Sequence, residues 1–181
     1  MSDAAEIFLE GKTELAFMTN LLADLPRYVD VRYILADSPD AMRPMALRTL
    51  LSRRTPVVMV FQAHTIDEQK AAAALQDLND YLSWESVRVP FKIIQFVPEI
   101  EVLFFQSPTT LEFLTRQKLT AEMVGVGKAA PRQLIKALTA GKETLELIGR
   151  LRPEDWAELR RLPRIADLRS FLLNLRTAAA A

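Results

Sequence analysis

Polar side chains follow two predicted strands of this sequence, at the point where each apolar run ends. Glu10 comes directly after the run Glu6–Leu9, and Gln62 and His64 come after the uninterrupted run Val57–Phe61. Runs of this composition are typical of strands buried on both faces of a parallel sheet. Such strands present functional side chains at their carboxyl ends. The sequence therefore indicates where a site would lie, at the carboxyl edge of a sheet.

His64 is the only histidine of the chain, and two chemical roles are open to it. It can exchange a proton near neutral pH, or it can ligate a borderline metal together with Glu10 and one of Asp67 or Glu101. The structural alternative is that its imidazole caps the strand end or forms a hydrogen bond in the crevice. Because the chain has no cysteine and no second histidine, the structural role is preferred.

Two further carboxylates, Glu99 and Glu101, flank Ile100 just after Pro98. Their spacing allows both side chains to point into the crevice at the sheet edge. It also suits ordinary residues in the first turn of a helix, where the helix dipole favours negative charge. The helical interpretation is preferred, and Glu101 is kept as a candidate metal ligand.

Composition places the chain among ordinary globular proteins. It has 181 residues, of which 50% are hydrophobic and 25% charged, so one domain with a sizeable core is expected. The absence of cysteine excludes a disulfide scaffold and a thiolate metal site. No apolar run approaches the roughly 20 residues that span a membrane, and the acidic start does not resemble an export signal, so a cytoplasmic protein is expected.

Charge is balanced over the whole chain but not along it. The formal net charge is zero, with acidic residues in excess over residues 1–124 and basic residues in excess over residues 125–181. A neutral total argues against tight binding of nucleic acid without regard to sequence. The basic C-terminal part leaves a local contact with nucleic acid possible, although a solvated helix face explains the same bias.

Strand and helix patterns alternate through the first two thirds of the sequence. A turn is predicted at Asp37–Asp40, which contains Pro39. The alternation predicts an α/β fold with a mostly parallel, four-stranded sheet and helices on both faces. The predicted strands are Glu6–Leu9, Val29–Leu35, Val57–Phe61 and Phe91–Val97, and the predicted helices are Thr13–Leu25, Met45–Leu51, Asp67–Trp84, Ile100–Phe105 and Thr109–Gln117.

The pattern changes after Gly125 and Gly127, beyond which only helical spacing is found. Leucine and isoleucine recur there at intervals of three and four residues, which is typical of amphipathic helices. We therefore divide the chain into an α/β domain, residues 1–124, and a C-terminal helical extension packed on it, residues 125–181.

Three segments together resemble the TOPRIM fold of topoisomerases, primases, OLD-type nucleases and small stand-alone relatives. FLEGKTELAFMTNLL is similar to the opening motif of that family. PVVMVFQAHTIDEQ stands where the family has a buried strand ending in aspartate-any-aspartate. FKIIQFVPEIEVLFF resembles the strand and Pro-acidic segment that close the core in some small relatives. The resemblance covers roughly residues 5–115 and rests on the order and spacing of the motifs.

The resemblance implies a role for Glu10 and also shows where this chain departs from the family. Glu10 matches the family's general acid/base glutamate, and Gly11 matches its glycine. The two metal-binding aspartates are replaced by Gln62 and His64. Magnesium prefers charged oxygen ligands, whereas an amide is uncharged and imidazole suits zinc, copper, iron or nickel. Without the cation, nothing offsets the charge that develops on a transferring phosphoryl group.

The expected function is therefore that of a degenerate, catalytically inactive TOPRIM-like protein that needs no cofactor. It would bind a protein partner as an assembly subunit, for example in a nucleic-acid-processing or phage-defence complex. One alternative is an active nuclease whose manganese, zinc or magnesium site is rebuilt around Glu10 and His64, with Asp67 and Glu101 as further ligands. Another is a protein-interaction platform that uses the basic helices of residues 128–177.

Overall fold

The computed structural model describes residues 4–85 and 89–179, and it has an α/β fold. Its four strands are all parallel and lie in the order β2-β1-β3-β4, which confirms the predicted sheet. The central pair is β1 and β3, and in β3 every residue is buried. The strands are β1 (Ala4–Leu9), β2 (Asp30–Leu35), β3 (Val57–Gln62) and β4 (Phe91–Phe96).

Helices connect the strands and then continue without further strands to residue 179. Short 3-10 and π-helical turns occur at Leu25–Arg27 and Thr49–Arg53. The α-helices are α1 (Lys12–Leu21), α2 (Pro39–Arg48), α3 (Glu68–Glu85), α4 (Val102–Phe105), α5 (Pro108–Thr115), α6 (Ala121–Ala129), α7 (Pro131–Leu138), α8 (Thr144–Ile148), α9 (Pro153–Arg161) and α10 (Pro163–Ala179). No helix within 4–85 or 89–179 is long and apolar enough to span a bilayer.

Two apolar clusters cover the two faces of the sheet, because successive strand residues point to opposite sides. On one face Ile7 packs with α1, α9 and α10, which contribute Phe17, Trp156 and Leu168. On the other face Phe8 packs with residues of α2 and α3. Each large side chain buried in this way stabilises the fold by about 1.5–3 kcal/mol. The C-terminal helices thus complete one of the two cores of the sheet.

The proposed division between residues 124 and 125 stays a prediction. It falls inside α6, which runs from Ala121 to Ala129.

The segment after β2 differs from its prediction. The sequence predicts a turn at Asp37–Asp40 and a helix at Met45–Leu51, whereas α2 already begins at Pro39. Ser38 caps this helix, since its hydroxyl oxygen accepts a hydrogen bond from the backbone N–H of Ala41 at 3.2 Å. Proline suits the first helical position because it needs no hydrogen-bond partner there. The Ser-Pro-Asp sequence was a helix start, not a turn.

Candidate functional site

The strand order places a crevice between the carboxyl ends of β1 and β3. The chain leaves β1 toward β2 on one side of the sheet and leaves β3 toward β4 on the other. Connections that diverge from neighbouring parallel strands open a crevice at that point, and ligands of open α/β sheets bind there. Glu10 directly follows β1, Gln62 ends β3 and His64 lies two residues further on. All three candidates therefore lie at the switch point of the sheet.

The carboxylate of Glu10 bridges the two strand ends. One oxygen accepts a hydrogen bond from the backbone N–H of Gln62 at 2.8 Å. The other lies 3.1 Å from Nε2 of His64, whose ring is about half exposed. Glu10 and His64 thus form a carboxylate–imidazole pair across the crevice.

The amide side chain of Gln62 lies buried below this pair and is bonded at both ends. Its Nε2 donates a hydrogen bond to the carboxylate of Glu14, and its Oε1 accepts one from the backbone N–H of Ile100 at 3.1 Å. An aspartate at position 62 has no proton to donate to Glu14 and would repel it. The amide is therefore complementary to this chain's own carboxylate, which explains physically why glutamine suits the position.

Glu14, which is not among the residues predicted from the sequence, is a buried carboxylate of the first turn of α1. Burial raises its pKa above the ordinary value, and the nearby charges of Glu10 and Glu101 act in the same direction. The signal in the sequence that could have identified Glu14 is its position four residues after Glu10. A helix that begins directly after a strand carries both side chains at the same edge of the sheet.

Glu101 is fully buried and is held by the C-terminal helices. Its Oε1 accepts hydrogen bonds from Nε of Arg132 at 2.8 Å and from the hydroxyl of Thr144 at 3.0 Å. Arg132 also lies 3.6 Å from Glu99. The hydrogen bond that Arg132 donates to Glu101 raises the pKa of Arg132 above its ordinary value. Glu101 is the N-cap residue of α4, and its side chain points inward to Arg132 and Thr144.

The remaining observations concern the side chain of Asp67 and the backbone of His64. Asp67 caps the start of α3, because its carboxylate accepts hydrogen bonds from the backbone N–H groups of Gln69 and Lys70 at 3.0 and 3.1 Å. His64 adopts a left-handed backbone conformation with φ 51°, which is uncommon for a residue other than glycine. Strained residues of this kind occur at functional sites more often than elsewhere.

A polar cavity of about 410 Å³ lies beside the crevice. Carboxylates dominate its charged lining, and two cations, Lys12 and Arg132, face it as well. Its acidic side chains are Glu10, Glu14, Glu101 and Glu143.

The donor set at this edge does not fit a magnesium ion. An amide and an imidazole stand at the two key positions, and Mg²⁺ requires a near-octahedral set of hard oxygens. Over the two described stretches of the chain, no group of three or more His, Cys, Asp or Glu side chains is arranged to hold a metal. The structure thus brings Glu10 and His64 together but does not gather Asp67 and Glu101 around them.

Several basic residues of the C-terminal helices are bonded within the protein. Arg160 and Arg169 donate hydrogen bonds to the backbone oxygen of Leu21, at 3.2 and 2.8 Å. Arg169 also forms an ion pair with Asp24, which lowers the pKa of that carboxyl to about 2. These guanidinium groups satisfy carbonyl oxygens that the end of α1 leaves open. Part of the basic excess of this region therefore serves the fold.

We predict that Glu14→Gln changes how stability depends on pH. Folding raises the pKa of this carboxyl, so between its unfolded and folded pKa values the folded state binds more protons than the unfolded state. The free energy of unfolding therefore falls as pH rises through that interval. The variant should be about as stable as the parent below the ordinary value of 4.5. At pH 7 it should be more stable, by about 0.5–2 kcal/mol. Urea unfolding between pH 4 and 8 checks this, and a pH-independent difference would contradict it.

Comparison of the chain with protein-family models, with curated proteins and with solved structures found no match.

Proposed function

We propose that this protein is a TOPRIM-like binding or assembly subunit that does not cut phosphodiester bonds with a divalent metal. The observation that carries this proposal is the bonding of Glu10. Both of its carboxylate oxygens already hold the ends of β1 and β3 together through Gln62 and His64. A carboxylate used in metal-dependent chemistry must offer an oxygen to the cation or a proton to the substrate.

The groups around Glu10 support the same proposal. Gln62 is buried, and its side chain is held by hydrogen bonds to Glu14 and from Ile100. Glu101 is neutralised by Arg132. Phosphoryl transfer needs a positive charge to offset the charge that develops in its transition state. Among the residues that the structure describes, no group of three or more His, Cys, Asp or Glu side chains is arranged to hold such an ion.

The partner is proposed by analogy with the TOPRIM resemblance. Proteins of that family work on nucleic acid, so a non-catalytic relative would contribute binding or assembly to a nucleic-acid-processing or phage-defence complex. The partner would be a protein, with nucleic acid as a further contact through the basic C-terminal helices.

A metal-binding and cleavage experiment tests the proposal. We expect calorimetric titration with Mg²⁺ and Mn²⁺ to show no saturable binding, and purified protein to leave DNA and RNA intact. Glu10→Ala removes the candidate acid/base, and Glu122→Ala removes an exposed carboxylate on α6 as the matched control. Metal-dependent cleavage that Glu10→Ala abolishes and Glu122→Ala preserves would refute the proposal.

One observation favours the second candidate, a nuclease with a rebuilt site. The 3.1 Å contact between Glu10 and His64 lies where the family places its catalytic groups. This candidate requires that Asp67 leave its capping position, or that Glu101 leave Arg132, when a metal ion binds. Stabilisation of the protein by Mn²⁺ or Zn²⁺ that is lost in His64→Ala would support it.

A further inference from the structure

The two edge strands of the sheet differ in what lies beside them. Helix α10 lies beside β4: Arg164 donates a hydrogen bond to the backbone oxygen of Gln95, and Asp167 pairs with Lys92 at 2.7 Å. The other edge strand, β2, pairs with β1 on one side. On its outer side, no residue that the structure describes forms a hydrogen bond to its backbone. An edge strand left open in this way is a template for pairing with another strand.

Three residues of β2 point their backbone groups away from the sheet. The N–H of Ala36 donates a hydrogen bond to the backbone oxygen of Leu9 at 2.9 Å, so it points toward β1. Because the direction of these groups alternates along a strand, Val31, Tyr33 and Leu35 point their N–H and C=O groups outward. The outer edge of β2 therefore offers donors and acceptors at every second residue.

These outward groups match those of a second copy of the same strand. In an antiparallel pair, residues that face each other exchange both of their hydrogen bonds at every second position. A two-fold axis at Tyr33 sets this residue against Tyr33 of the second copy, and Val31 against Leu35. This is the one two-fold position that maps the three outward residues onto themselves, so every outward donor meets an acceptor.

Neighbouring positions of the two-fold axis fit less well. An axis at Arg32 would set this arginine against its own copy, and like charges directly opposite each other destabilise a pair of strands. An axis at Val31 would need the N–H of Val29, which already donates to the backbone oxygen of Leu25 at 3.0 Å. The axis at Tyr33 has neither defect.

The side chains at this edge also suit a second copy. Val31, Tyr33 and Leu35 lie on one face of β2, so the axis at Tyr33 forms a ladder of apolar cross-strand pairs there. Exposed apolar side chains are also concentrated around this edge, which is typical of interaction surfaces. Of the ten large ones in the described parts of the chain, four lie within residues 28–51, namely Tyr28, Leu35, Met45 and Leu51.

We propose that the protein forms a two-fold symmetric dimer through antiparallel pairing of β2, with Tyr33 at the axis. The pairing joins two four-stranded sheets into one continuous sheet, and each copy contributes the same surface. The formal net charge of zero means that the copies do not repel each other through a net charge. This inference goes beyond the proposed function, because it does not depend on the chemistry of the crevice.

Sedimentation equilibrium of the purified full chain tests the dimer. We expect a mass twice the 20.5 kDa of one chain, with a Kd of about 10 µM or tighter. Leu35→Lys should weaken the dimer at least about tenfold, because it removes an apolar pair and adds a charge to the edge of each copy. Leu145→Lys is the matched control, since Leu145 on α8 is 45% exposed and Leu35 is 46% exposed. This control should dimerise like the parent.

A cysteine crosslink tests the register. The chain has no cysteine, so a disulfide-linked dimer must arise from an introduced residue. The two Cα atoms at position 33 would lie about 5.5 Å apart, which a disulfide can bridge. Those at position 31 would lie about 14 Å apart, which it cannot. We expect oxidised glutathione to crosslink Tyr33→Cys but not Val31→Cys.

Three results would overturn the inference. The first is a parent protein that stays monomeric at about 100 µM. The second is equal dimerisation of Leu35→Lys and Leu145→Lys, and the third is a stronger crosslink in Val31→Cys than in Tyr33→Cys. Should Tyr33→Cys not fold, the lysine pair still decides, because both leucines are partly exposed and circular dichroism shows whether their variants fold.

Discussion

Replacing Arg132 with methionine should lower the free energy of unfolding by about 3 kcal/mol at pH 7. Glu101 is fully buried, and Arg132 supplies its charged partner at 2.8 Å. Methionine keeps much of the length and apolar stem of arginine but leaves the carboxylate with only the hydroxyl of Thr144. Breaking a buried ion pair from one side costs about 3–5 kcal/mol because the other charge stays buried without compensation. Urea unfolding followed by circular dichroism measures the loss.

A matched variant and a rescue show whether the loss comes from the buried charge. Arg150 has the same 43% side-chain exposure as Arg132, but its partner Glu146 is half exposed. Arg150→Met should therefore cost less than about 1 kcal/mol. Adding Glu101→Gln to Arg132→Met should recover more than half of the loss, because the amide is neutral and can still accept from Thr144. Equal losses in the two arginine variants would mean that water solvates Glu101.

Gly127→Ala should destabilise the protein by about 2 kcal/mol, although alanine is the better helix former. A Cβ at position 127 would lie 1.9 Å from a ring carbon of Phe105, a separation that real atoms do not reach. Phe105 belongs to α4 and is buried, so either the ring or helix α6 must move. Inserting a carbon into a packed contact costs about 1–3 kcal/mol. Thermal and urea unfolding of the purified variant measure the effect.

Gly125, two residues earlier in the same helix, is the control for this substitution. A Cβ there would meet no atom within 4 Å. Gly125→Ala should therefore stabilise the protein by up to about 1 kcal/mol, which is the difference in helix propensity. If both variants gained stability equally, α6 would not pack against Phe105 as closely as described.

Much of the fold could be predicted because its signals are local. The apolar run Val57–Phe61 predicts a buried strand, and β3 ends one residue later at Gln62. The helical spacing of Asp67–Trp84 likewise predicts α3, which runs from Glu68 to Glu85. Runs and periods of this kind reflect the burial of each segment and need no knowledge of its neighbours.

The surroundings of the crevice could be predicted only in part. Residues that directly follow parallel strands meet at one edge, so the position of Glu10 near Gln62 follows from the order of strands and helices. The hydrogen bond from Arg132 to Glu101 could not be predicted in this way, because no repeat or motif of the sequence links α7 to the segment after β4. The spacing of Glu99 and Glu101 predicts a helix start, and Glu101 is the N-cap residue of α4. Spacing cannot predict that Arg132, 31 positions later, pairs with this carboxylate.

The contact between α10 and the end of α1 has a consequence for how the chain folds. Arg169 bonds to the backbone of Leu21 across 148 positions of sequence, and α10 supplies apolar residues to the cluster that also contains β1. Contacts between such distant parts of a chain slow folding, because the ends of a large loop must first come together. On the ribosome, the apolar cluster that β1 shares with α1 and α9 could not be completed until residues 163–179 had been synthesised.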